Sequence, residues 1–148
     1  MPSITSFTNN FKNILDKLNN VIASEFGNTL PTFIGNTEQE GRTQYILINP
    51  LGSDSIDISV NGELREYTFN LGIYFKDKNV NEDDLDSILR ILSRLEASIH
   101  ENFTMTLSDS TTAFNCKIDS TELDADEDNE EYYIVNCNYT CQHLGNVS

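Results

Sequence analysis

Ile4, Phe7, Phe11, Ile14, Leu15, Leu18, Val21 and Ile22 recur at three- and four-residue spacing, the stripe of an amphipathic helix. The pattern predicts a helix over residues 4–26, with Ser3 or Thr5 as cap and Gly27 as stop signal. Residues 30–42, carrying Pro31, Gly35 and Gly41, read as a loop. The β-rich run 43–49 (TQYILIN) ends at the turn cluster Pro50, Gly52 and Ser53. Ile56, Ile58 and Val60 then alternate with Asp57 and Ser59, predicting a short strand over 55–60 with one wet face. Asn61-Gly62 is a two-residue hairpin signal. Beyond it Tyr67, Phe69, Leu71, Ile73 and Phe75 hold every second position, so a long strand over 63–76 turns one face to the core.

Asn81 followed by Glu82, Asp83 and Asp84 is a helix start, because a short polar side chain caps free amides and the dipole favours acids in the first turn. Leu85, Ile88, Leu89, Leu92, Leu95 and Ile99 continue it as a second amphipathic helix over 82–100. Residues 103–107 read as a further short strand, and 108–112 as a polar turn. Two apolar runs close the chain and predict hairpin strands over 113–119 and 131–143 around an acidic loop, 122–130.

The expected architecture is α+β: one domain over residues 1–148, two layers, with a mainly antiparallel or mixed sheet and two amphipathic helices packed on one face. Tyr74, Tyr132 and Ile134 point away from the core parity of their strands. Two helices leave part of a two-faced apolar sheet exposed, so association through the sheet is expected.

Composition narrows the function classes. A chain of 148 residues with 38% hydrophobic content suffices for one packed core. Its 24 acids against 9 bases, net charge −15, oppose binding to nucleic-acid backbones or anionic membranes. DNA passing nearby without being gripped is compatible with that charge. No secretory signal is visible at the start and no apolar run nears membrane-spanning length. The three cysteines, Cys116, Cys141 and Cys137, then read as reduced thiols in a cytosolic compartment.

Lys117 is the last cation of the chain. Past it, Asp124, Asp126, Glu127, Asp128, Glu130 and Glu131 form the candidate charged surface. Asp124, Asp126, Asp128 and Glu130 have the spacing of calcium loops, but Asn129 and Val135 stand where the EF-hand pattern needs glycine and glutamate. A solvated hairpin tip and an electrostatic surface, repelling DNA or meeting a basic partner, are the heavier readings. Cys137, Cys141 and His143 mimic a metal cluster. On a strand, however, the two cysteines lie about 13 Å apart at roughly 3.3 Å per residue, too far for one zinc ion or a mutual disulfide. Cys116 shares parity with Phe114 and Ile118. His100 and His143 belong to no nucleophile or zinc motif, and no phosphate loop occurs. Neither a catalytic residue nor a cofactor is expected.

The size and element order resemble the tail terminator (head–tail joining, tail completion) proteins of long-tailed bacteriophages. The residues that carry the likeness are the opening helix 4–26, the strand 63–76, the helix 82–100, and the acidic loop before a last strand, 130–143. It spans most of the chain but transfers no binding or catalytic residue. The resemblance implies a mixed sheet flanked by helices, in a subunit of a hexameric ring without enzymatic activity. Such rings cap the tail tube and offer the surface to which the head attaches, so the tube protein and head–neck connector proteins are the implied partners. Genomic DNA passes through without specific binding; the place is the virion tail or neck, after assembly in the host cytoplasm. The alternatives are another phage neck, head-completion or tail-tube protein, or a cellular acidic binding module using residues 122–131.

Overall fold

The computed structural model describes residues 9–27, 29–37, 39, 42–58, 62–76, 79–124 and 131–145. Helix α1 spans Asn10–Phe26, and its cap is Asn9, whose side chain accepts from the Lys12 amide at 3.0 Å. Ser3, Thr5, Ile4 and Phe7 of the expected helix lie outside the described residues. Gly27 ends the helix at φ 58°, and its N–H donates to the Ala23 carbonyl. That left-handed conformation costs glycine no side-chain clash.

Strand β1 is the short Thr32–Ile34, inside the stretch expected to be all loop. Strand β2 runs as one piece from Gln44 to Ile58, absorbing the turn cluster that separates 43–49 from 55–60 in the sequence. The register shows how: it shifts between Pro50 and Gly52 and again between Ser55 and Asp57, as β-bulges do when a strand holds an extra residue. Pro50 fits for a further reason. The Ile46 N–H and the Ile48 carbonyl both point toward the β1 side, and strand parity puts the Pro50 nitrogen on that same edge. Strand β1 reaches only as far as Ile48, so the missing N–H removes no ladder bond.

The remaining elements are β3 (Glu63–Lys76), α2 (Glu82–Glu101), β4 (Met105–Thr106), β5 (Thr112–Glu122) and β6 (Tyr132–Gly145). Helix α2 carries a capping box: Asn81 accepts from the Asp84 amide at 2.9 Å, and the Asp84 carboxylate faces the Asn81 N–H. Arg94 of α2 reaches Glu25 of α1 at 3.0 Å and lies over the Phe26 ring, tying the two helices at their edge.

The strand order is β1-β2-β3-β6-β5-β4, parallel only at β1–β2. The last strand is therefore central, paired along its whole length with β3. The expected two-layer arrangement, with helices packed on one face of a sheet, is not what forms. The molecule is built on one six-stranded mixed sheet curled into a half-barrel, and strands make up 48% of the structure. Strands of 14 and 15 residues accumulate twist over their length, and the bulges in β2 and β5 bend them further. A flat layer is not available to such a sheet.

The principal apolar cluster joins Ile14, Leu18 and Ile22 of α1 and Ile88, Leu95 and Ile99 of α2 to the core parity of β2, β3 and β6. Each fully buried aliphatic side chain there stabilises the fold by roughly 1.5–3 kcal/mol. A second cluster occupies the opposite parity: Tyr45, Leu47, Tyr132 and Ile134, with Phe33 and Tyr74 packed against it. Of the three residues of which some were expected to stay exposed, Tyr132 and Ile134 are 3% exposed and Tyr74 is half-buried. The chain covers them itself. Tyr45 stacks on Tyr74 with ring centroids 4.8 Å apart, Arg42 lies over Phe33, and the Tyr132 hydroxyl donates to the Arg42 carbonyl.

Candidate interaction surface

Strands β5 and β6 pair antiparallel, with Glu122 opposite Asn136, so the acidic segment does connect two neighbouring strands. Of the candidate charged residues, Asp124 sits in a turn at φ 51° and Glu131 is exposed just before β6. Asp126, Glu127, Asp128 and Glu130 lie outside the described residues, so their mutual arrangement carries no geometry.

Cys137, Cys141 and His143 share the core face of β6 and are all buried, yet their side chains go to different partners. Cys137 accepts from Thr121 at 3.8 Å, the pKa of Cys141 is driven up by its neighbour Cys116 and by burial, and His143 Nε2 lies 2.8 Å from Thr111 Oγ1. Among the described residues, no three of His, Cys, Asp and Glu converge as metal ligands would.

Asp109, Thr111 and His143 look superficially like a catalytic triad. The hydrogen bonds run in the wrong order for one. Thr111 Oγ1 donates to Asp109 Oδ1 at 2.5 Å, so its proton is committed there. The oxygen then accepts from His143 Nε2–H, which makes the imidazole a donor to the hydroxyl and not its base. His143 Nδ1 is buried without a partner among the described residues, where a triad would hold its acid. Burial pushes the His143 pKa down, against a weaker upward pull from Asp109. Asp109 itself is held below the usual carboxylate range, chiefly by the Thr111 hydroxyl. The group is a polar brace, buried at His143 and open to solvent at Asp109, that joins the β4–β5 turn to β6, and Asn13 of α1 touches the same Asp109.

The surface that sequence reasoning missed is the far end of β2. Ile56 and Ile58 have strand alternation and were expected to be half-buried, but they are 47% and 62% exposed. Leu144 of β6 pairs through Leu64 with Asp57, while Ile58 pairs with Glu63, so Leu144 stands on the opposite face of the same sheet end from Ile58; it is 60% exposed. The cause is visible on β3. Its core parity runs apolar from Phe75 to Tyr67 and then continues as Arg65 and Glu63. Arg65 bonds Glu63 at 2.9 Å and Ser53 at 3.0 Å, and hydrogen bonds from Arg65 and from the Ser55 hydroxyl hold the Glu63 carboxyl below its usual range. The core has ended by this point, so among the described residues none of the core is left for Ile58 to pack on. Flanking Asp54 and Asp57 are exposed too, so the end of the sheet offers apolar groups rimmed by acids. No sequence signal distinguishes such a strand end from a half-buried one.

A cleft of about 430 Å³ opens between α2 and β5, lined by Glu96, His100, Phe103, Cys116, Lys117 and Asp119 among others. Neither helix is long and apolar enough to cross a membrane. No protein-family model matches this chain, and no curated protein matches it.

Proposed function

We propose that this protein is a structural virion subunit of the tail-terminator kind. Copies close into a ring, a hexamer by the resemblance, that caps a phage tail tube and joins it to the head while DNA passes through. The observation that carries the reading is the sheet end at Ile56, Ile58 and Leu144, apolar groups left exposed past the end of the core. Apolar groups exposed on both faces of one sheet end suit burial against a neighbour that meets that end, and a second copy is the neighbour this reading names. The net charge of −15 agrees with a channel that lets phosphate backbones pass without holding them. The described polar clusters serve as braces, which fits a subunit without enzymatic activity.

Native mass spectrometry at several protein and salt concentrations tests the reading, with and without purified tail tubes. The expected result is a closed hexamer, free or on the tube end, which Ile56→Asp with Ile58→Asp reduces to monomer while leaving the circular-dichroism spectrum unchanged. A wild-type chain that stays monomeric in both conditions overturns the proposal. A monomer that instead captures a basic partner through residues 122–131 would establish the acidic binding module.

A further inference from the structure

The three cysteines are not equivalent. Cys116 lies on β5 inside the register shift between the pairs Phe114–Gln142 and Lys117–Thr140. Its cross-strand neighbour is therefore Cys141. The bulge, with Asn115 at φ 55°, breaks the strict alternation along β5 that would place Cys116 on the same face as Phe114. Both cysteines belong to the principal core, and each thiol perturbs the titration of the other. Directly opposed residues of antiparallel strands have Cα atoms about 4.5–5.5 Å apart, inside the range a disulfide spans, roughly 4.4–6.8 Å. Cys137 has no such neighbour and bonds only the Thr121 hydroxyl among its described contacts.

Access differs as well. Cys116 forms part of the wall of the 430 Å³ cleft between α2 and β5, whereas Cys141 does not line it. Cys116 is itself 1% exposed and Cys141 0%, so for a reagent in the cleft Cys116 is the nearer of the two thiols.

We propose that Cys116 and Cys141 are an oxidisable dithiol that a peroxide closes to a disulfide, with Cys137 left reduced. The Cys116 thiolate attacks one peroxide oxygen. The S–O bond forms, the O–O bond breaks, and the departing hydroxide becomes water with the proton released when the Cys116 thiol ionised. Cys141 Sγ then attacks Cys116 Sγ of the sulfenic acid; the S–S bond forms, the S–O bond breaks, and the second hydroxide leaves with the Cys141 proton as water. Two thiols are oxidised and one peroxide is reduced to two waters. The order of attack follows from the electrostatics. The neighbouring Cys141 lowers the Cys116 pKa, while Cys116 and burial drive Cys141 far up. Burial pushes Cys137 up to about 11, which keeps it a thiol at neutral pH. The bridge would tie β5 to β6 across the bulge and close the loop that contains the acidic segment. This inference does not depend on the assembly reading.

The test is to treat the folded wild-type protein with hydrogen peroxide, alkylate it in denaturant, and map its peptides without reduction. The expected product links the Cys116 and Cys141 peptides, leaves Cys137 alkylated, and raises the melting temperature until dithiothreitol restores it. Cys137→Ser should form the same link. Cys141→Ser should leave a Cys116 sulfenic acid that dimedone captures. Three alkylatable thiols after peroxide, or a link that includes Cys137, would overturn the proposal; both are read on the wild-type chain and need no variant to fold.

Discussion

His143 shows how a single side chain can be polar in type and structural in role. It is 1% exposed, braced by Thr111, and kept neutral by burial. Its pKa in the folded protein lies below that of the unfolded chain, so the unfolded chain takes up the proton first as pH falls. The stability it contributes is therefore complete above about pH 6.5, the ordinary imidazole value, and is lost as pH drops below that. Thermal melts from pH 7.5 to 5 (roughly the span over which imidazole titrates) should show this loss in the wild type and a flatter profile in His143→Gln. Equal slopes would mean that the histidine is not the titrating group. Asp109, whose pKa is lowered by Thr111, acts in a separate and more acidic window, because its contribution persists until the carboxylate protonates. Of this brace the sequence displayed the histidine and an absence of motif. Thr111 and Asp109 lie 32 and 34 positions away, so only the fold could supply the partners.

At the scale of elements, local signals and tertiary decisions separate cleanly. The start of α2 was readable because a cap and its acids are sequence neighbours, and the capping box forms as that spacing requires. Asn81→Ala should cost about 1 kcal/mol in chemical denaturation, and Asn81→Ser should recover most of it; an unchanged midpoint for the alanine variant would remove the cap from the account. Strand β3 was equally plain, since an unbroken alternation over Tyr67–Phe75 is a property of adjacent residues. Strand β2 was not. Pro50, Gly52 and Ser53 have turn composition, yet pairing with β3 continues through them because the ladder tolerates a bulge and the proline nitrogen faces an unpaired edge. The parity of β5 was misread for the same reason: a bulge between Phe114 and Lys117 resets which face each residue takes.

For the whole molecule, charge and shape point in different directions. A chain carrying −15 repels itself, and the acidic segment 122–131 concentrates that repulsion between two paired strands. Changing Asp124, Asp126, Glu127 and Asp128 to Asn or Gln should leave the fold intact and hold or raise the melting temperature, most clearly at low salt, where screening is weakest. Unfolding of that variant would show that these carboxylates hold structure instead of straining it. The half-barrel itself follows from long strands that twist and bulge. On the second face the aromatic groups are covered in part by the chain itself, through Phe33, Arg42 and Tyr45.

The amino-acid sequence by itself determined which segments are helical, which alternate, how α2 is capped and how strongly the chain is charged, since each depends on the residues present and their nearest neighbours. The tertiary structure alone decided that β6 lies between β3 and β5, that Cys116 meets Cys141, that Tyr132 is buried, and that Ile56 and Ile58 are not. Those outcomes turn on which distant segments pair and where the core runs out. Periodicity tells a strand which residues share a face; it does not say what, if anything, that face will meet.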